Sequence, residues 1–306
     1  MLRRTILAAA SSERTRQLVS RAPVSRSVVR RFVAGESIDD AVKVTRQLVD
    51  AGLSVSLDHL GEDTTDEAQA KAAATAYLTL LDRLGEQQLT ASAEVSVKLS
   101  AVGLGLDSSM ATEHARMICE AAARAGTTVT VDAEDHTTTD AALSVVADLR
   151  RDFPSVGAVL QAYLRRTEAD CRDLAQAGSR VRLCKGAYKE PASVAFDNAP
   201  DVDRSYVRCL NVLLAGPGYP MIATHDPRLI AIAGDRVAFY QRPQGTYEYQ
   251  MLYGVRPDEQ IRLVTAGEKV RIYTPFGDEW YGYLMRRLAE RPANIAFFLR
   301  AVVSTK

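Results

Sequence analysis

Short apolar runs alternate along this chain with longer stretches of helical composition. The runs Leu53–Leu57, Glu94–Leu99, Thr128–Ala133, Gly157–Tyr163, Arg180–Cys184, Met221–His225, Val237–Gln241 and Val270–Tyr273 predict eight strands. Between them lie segments rich in alanine, leucine and charged residues, with helices clearest at Asp66–Leu84 and Met110–Ala125. Glycines at 52, 126, 178 and 218 stand before strands, where helix C-termini call for them. Eight strand-plus-helix units in about 250 residues predict an α/β chain folded as a (βα)8 TIM barrel. An open doubly wound sheet is the structural alternative, because a count of strands does not prove closure. Residues 1–51 read as an N-terminal helical segment packed on the barrel of residues 52–306, one structural domain in all.

The phase of the strands carries more than their number. In Glu94-Val95-Ser96-Val97-Lys98-Leu99-Ser100 the apolar positions alternate with Ser96, Lys98 and Ser100. Outward positions of a barrel strand pack on helices, so the polar set must point inward. The same phase turns Asp132, Arg182 and Gln161 inward, and His225 follows Thr224 at the end of the sixth strand. Each alone has an ordinary reading: an ion pair of Lys98 or Arg182 with Asp132, a satisfied core amide, a packing histidine. Together they are five polar side chains from separate strands on one rim, which is how this fold builds active sites.

A last helix adds cations. Tyr283, Arg287 and Glu290 fall at i, i+4 and i+7, apart from a face led by Tyr281, Leu284 and Leu288. Taken alone, this is a solvated face. Beside the rim, Arg286 and Arg287 join Lys98 and Arg182 against Asp132 in a site that suits an anion. Composition narrows the rest. With 38 residues of each sign and no net charge, the chain shows no nucleic-acid footprint. Cys119, Cys171, Cys184 and Cys209 have no metal or disulfide spacing and read as reduced thiols of a cytoplasmic protein. No metal motif and no phosphate loop is present, and Met1–Ala10 is too short an apolar run for a signal peptide.

In chain order, Ser96-Val97-Lys98-Leu99-Ser100, Asp132-Ala133-Glu134-Asp135, Leu160-Gln161-Ala162-Tyr163, Arg182-Leu183-Cys184-Lys185-Gly186-Ala187-Tyr188, Ala223-Thr224-His225, Tyr249-Gln250-Met251-Leu252-Tyr253-Gly254 and Tyr283-x-x-Arg286-Arg287-x-x-Glu290 resemble the successive motifs of proline dehydrogenases. The resemblance covers roughly Asp58 to Asn294 and is closest to the monofunctional bacterial form. It implies a distorted (βα)8 barrel with a final helix over the active site, FAD as cofactor, and oxidation of L-proline to Δ1-pyrroline-5-carboxylate with a quinone as electron acceptor. That is the first step of proline catabolism to glutamate.

Carried over by position, the resemblance assigns catalysis to Asp132 and Arg182, with Arg182 near the flavin N5. Lys98, Arg286 and Arg287 would hold the proline carboxylate, and Tyr273, Tyr283 and Leu252 would line the ring pocket. Ala133, Gln161, Arg182, Lys185, Gly186, Ala187, Thr224 and His225 would hold FAD. Glu62 would gate the site through Arg286, and Glu290 would support the arginine helix. Lys189 stands where bifunctional relatives carry tryptophan. A quinone acceptor is compatible with peripheral contact at the inner face of the cell membrane. Two rivals are a Schiff-base lyase using Lys98 or Lys185, and a non-catalytic barrel that binds anions.

Overall fold

The computed structural model describes residues 29–176 and 179–290, with side chains at 29–175 and 179–285. Eight parallel strands pair in sequence order: β1 (Ser54–His59), β2 (Ala93–Val97), β3 (Val129–Val131), β4 (Gly157–Gln161), β5 (Arg180–Cys184), β6 (Tyr219–Ala223), β7 (Glu248–Leu252) and β8 (Val270–Phe276). β8 returns to β1, with Ser54 opposite Arg271 and His59 opposite Phe276, so the sheet closes and the open-sheet alternative is excluded.

Seven strands lie at or within a few residues of the expected runs; one does not. Val237–Gln241 is the end of a helix and the turn after it, and the seventh strand is Glu248–Leu252. The helix begins where Asp226 accepts a hydrogen bond from the Arg228 N–H, with Pro227 in its first turn. Phe239 within the expected strand is 66% exposed, which no strand of a helix-covered barrel permits. The real strand escaped the hydrophobic pattern because its inward positions are Glu248 and Gln250.

Around the strands run α1 (Ile38–Asp50), α2 (Glu67–Glu86), α3 (Ser108–Arg124), α4 (Thr139–Leu149), α5 (Thr167–Gln176), α6 (Ala199–Ala215), α7 (Pro227–Phe239), α8 (Pro257–Thr265) and α9 (Trp280–Glu290). Side-chain caps start most of them; Ser37 and Asp40 form a full capping box on α1. The apolar phase of the strands meets the helices in two clusters. One gathers Val55, Leu57, Val95 and Val97 with α1 to α4, and the other Val181, Leu183, Ile222 and Ile272 with α5 to α8.

The placement of α1 decides where the chain ends up. It packs against both β1 and β8, in the outer-ring position that a helix following β8 would otherwise take. Hydrogen bonds from the Ala34 N–H to Pro275 and from the Gly277 N–H to Gly35 hold the segment before α1 beside the end of β8. The helix after β8 is thereby displaced to the rim. There Trp280, Tyr281, Tyr283, Leu284 and Met285 bury against Leu60, which follows β1, and against Val29, Phe32 and Val33. Residues 1–28 of the expected N-terminal segment lie outside the described residues.

Candidate active site

The interior of this barrel is charged where a packed barrel ordinarily stacks branched apolar residues. At its base the Arg271 Nε donates to Glu248 at 2.7 Å and Arg180 donates to Glu94 at 2.6 Å. Above them lie Arg182 and Gln250, and at the C-terminal rim Asp58, Lys98, Asp132 and Tyr273.

Arg182 is 4% exposed and bonded on every side described. Its Nη1 donates to Asp132 at 2.7 Å and to Ser96 at 2.9 Å, its Nη2 to Ser56 at 3.1 Å, and its Nε to Gln250 at 2.5 Å. The Tyr273 hydroxyl donates to the second Asp132 oxygen at 2.7 Å, and its ring lies 5.2 Å from the Arg182 guanidinium carbon. Burial, with the charges of Asp132 and Asp58, pushes the Tyr273 phenol well above its usual value. It therefore stays a donor. Three residues predicted from the sequence thus form one bonded unit.

Lys98 is also inward, but its partner is Asp58, a residue to which the sequence assigned no role. The ammonium contacts both carboxylate oxygens, at 2.7 and 2.6 Å, and Asp58 is completely buried. Burial works against the lysine's charge, yet Asp58, Asp132 and Glu62 outweigh it and raise its pKa. For Asp58, burial is the larger influence; with Asp132 nearby it raises the carboxyl above its ordinary value despite Lys98. The available signal was phase: Ser56 and Asp58 alternate with Val55 and Leu57.

Asp58 also alters the charge balance. Lys98 and Arg182 are matched by Asp58 and Asp132, and Glu62 and Glu134 stand nearby, so the expected cationic character is absent from the described rim. Arg286 and Arg287 are the other cations expected of the site. Both lie on α9, as does Glu290, but their side chains are outside the described residues, and with them the expected Glu62–Arg286 gate. Tyr283 is described, and it is buried with the apolar residues of α9 rather than on a separate polar side.

The neighbouring sector collects the residues expected to hold FAD at the ends of β3 to β6. Gln161 donates to the Glu134 carbonyl at 2.7 Å, beside Ala133. Glu134 accepts from the hydroxyl and backbone N–H of Ser100. Lys185 bridges Asp203 at 2.6 Å and Asp226 at 3.0 Å. Burial opposes ionisation of Asp226, but hydrogen bonds from Lys185 and Arg228 bring it down to about 2. Thr224 and His225 follow β6, and the His225 Nε2 accepts from the Leu252 N–H at 2.7 Å, which leaves its ring proton on Nδ1. Gly186 has φ +106°, and a Cβ there would fall 2.3 Å from the Tyr163 ring. Ala187 follows it. A lysine for a diphosphate, a glycine that lets backbone approach closely, and amide and imidazole edges are a donor set that fits a flavin dinucleotide. Among the described residues no acidic, histidine or cysteine group could hold a metal ion, and the four cysteines form no disulfide.

Known proteins match the chain over most of its length. The family model described as proline dehydrogenase matches residues 41–300. Proline dehydrogenase 1 of Bacillus subtilis is 38% identical over 293 residues, covering 96% of both chains. The proline dehydrogenase of Deinococcus radiodurans is 36% identical over 282 residues, 90% of each. Among solved structures, proline utilization A from Bdellovibrio bacteriovorus inactivated by N-propargylglycine superposes with a TM-score of 0.80 at 25% identity. That match covers 86% of this chain and 32% of the larger one.

Proposed function

The chain belongs to the proline dehydrogenase family, and from that membership we propose that it oxidises L-proline to Δ1-pyrroline-5-carboxylate with FAD as hydride acceptor and a quinone as the next electron carrier. The observation that carries the reading is the Asp132–Arg182–Tyr273 unit at the C-terminal rim, its ion pair buried, beside a donor set that fits FAD.

Bound FAD would supply the hydride acceptor; the chain's own residues bind, orient and dehydrate. Arg286 and Arg287 grip the proline carboxylate as a paired fork, with Lys98 as a third cation below them. Tyr273, Tyr283 and Leu252 confine the ring, which fixes the carbon that gives up hydride. Asp132 holds the Tyr273 hydroxyl and the Arg182 guanidinium in register, so Arg182 presents its charge to the flavin from a fixed place. Gln161, Lys185, Gly186, Ala187, Thr224, His225 and Ala133 hold the dinucleotide. Glu62 and Glu290 serve the arginine helix as gate and support. Loss of the proton from the amine is favoured by the arginines of α9, since both cations of the described rim are already paired with carboxylates. A quinone acceptor implies contact with a membrane surface. No helix among the described residues is long and apolar enough to cross one.

The Schiff-base alternative fits poorly. Such a lysine must lose its proton, whereas Asp58 keeps Lys98 charged, and Lys185 lies between two carboxylates. The deciding experiment is the visible spectrum of the purified protein before and after L-proline. Flavin absorbance that bleaches on addition supports both cofactor and substrate; a flavin-loaded protein that proline leaves oxidised ends the reading.

A further inference from the structure

Glu248 has no exposed surface and lies at the base of the barrel. It accepts from Arg271 at 2.7 Å, from the Tyr219 hydroxyl at 3.0 Å and from the Gln250 amide nitrogen at 2.7 Å. The other end of the same amide, its oxygen, accepts from the Arg182 Nε at 2.5 Å. An ionised carboxylate can only accept and an Nε–H can only donate. Reversing the Gln250 amide would set two acceptors face to face below and two donors face to face above. The direction of the amide is therefore dictated from the base of the barrel.

A neutral pin is chemically distinct from a charged one. A carboxylate at position 250 would anchor Arg182 equally well and also cancel its charge. Asp132 contacts one end of the guanidinium at 2.7 Å and Glu94 stands 3.8 Å from its Nη2; an amide at Nε fixes the plane without adding a third carboxylate. We infer that Glu248 and Gln250 are positioning residues for Arg182: the buried carboxylate orients the amide, and the amide holds the guanidinium toward the reacting ring without neutralising it. The inference rests on the reading that Arg182 faces the flavin.

The test uses the FAD-loaded full chain and four variants: Arg182→Met, Gln250→Met, Glu248→Gln and the exchange Glu248→Gln/Gln250→Glu. Gln250→Met should slow flavin reduction by proline about 10- to 100-fold, the range for one lost bond to a charged group, and Glu248→Gln, which keeps an acceptor but removes the charge that fixes the amide, by less. Proline affinity should change much less. The flavin midpoint potential, titrated without proline, should fall in both single variants as the guanidinium drifts. The exchange restores both hydrogen-bond directions: the carboxylate now at position 250 accepts from Arg182, and the amide now at position 248 donates to that carboxylate. It should recover most of the rate while keeping a lowered potential, because a negative charge now adjoins Arg182. A merely structural role would lower melting temperature without this split. A Gln250→Met protein with wild-type rate and potential, beside an impaired Arg182→Met, overturns the inference. So does an exchange variant no faster than the slower single one, and this comparison decides even if Gln250→Met does not fold. Wild-type behaviour of Arg182→Met would instead remove the reading of Arg182 on which the inference depends.

Discussion

Lys98 shows what a single inward residue can and cannot reveal. Its strand phase marked it as buried and in need of a counter-charge. The sequence offers Asp132 as a partner for Lys98 or Arg182; Arg182 takes it, and closure of the barrel puts Asp58 of β1 against β2, where it holds the Lys98 ammonium. Lys98→Met should leave a buried, unpaired carboxylate and cost roughly 3–5 kcal/mol in urea unfolding, largely recovered in Lys98→Met/Asp58→Leu. Tyr273→Phe should keep the fold and FAD but slow flavin reduction by about tenfold, as Asp132 loses a donor; stopped-flow absorbance reads it. On α9, Arg287→Lys should raise KM for proline at least about tenfold with flavin content unchanged, since an ammonium lacks the paired fork. Loss of FAD with normal proline affinity would count against the assignment of Arg287.

At the scale of elements, the site depends on segments between strands as much as on strands. The loop after β5 carries Lys185, Gly186 and Ala187 past the face of Tyr163, in a backbone conformation that favours glycine. Gly186→Ala should therefore lower FAD affinity, measured by flavin fluorescence titration, with little change in the far-ultraviolet signal. Unaltered FAD affinity would mean that the loop can shift at no cost. The strand misread at Val237–Gln241 has the same lesson in reverse. Periodicity finds strands whose outward face is apolar and inward face small. β7 places Glu248 and Gln250 inside and Tyr249 and Met251 outside, so its alternation resembles a solvent-facing strand. Only the ionic partners inside the barrel explain why it is central.

For the whole molecule, the interior lattice sets an acid limit. Burial alone would raise Glu248, but Arg271 chiefly, with Lys269 and Gln250, lowers its carboxyl from 4.5 to about 2. Arg271 and Arg180 likewise depress Glu94 against the effect of its burial. A carboxyl depressed in the folded state contributes stability that is complete above its unfolded value and lost as pH falls through its folded value. Stability should thus fall as pH drops from about 4.5 toward about 2, by on the order of 3 kcal/mol from Glu248. Urea midpoints measured across that range should show the loss, and Glu248→Gln should flatten that part of the curve from a lower starting stability.

Much was legible in the chain itself: seven of the eight strands, the inward phase of Lys98, Asp132, Gln161 and Arg182, and the ordered motifs of the family. These depend on local geometry, on the two-residue period of a strand and on residue types at fixed spacing. The identity of each charge's partner was not legible. Asp58 with Lys98, Gln250 with Arg182 and Glu94 with Arg180 join residues from 40 to 86 positions apart. Closure of the sheet brings such pairs together. The place of α9 over the rim, which the family resemblance implies, has its physical reason only in the tertiary structure, where α1 fills the outer-ring position beside β8. Tertiary structure showed, too, that the cations of the described rim are matched by carboxylates, Lys98 by Asp58 and Arg182 by Asp132.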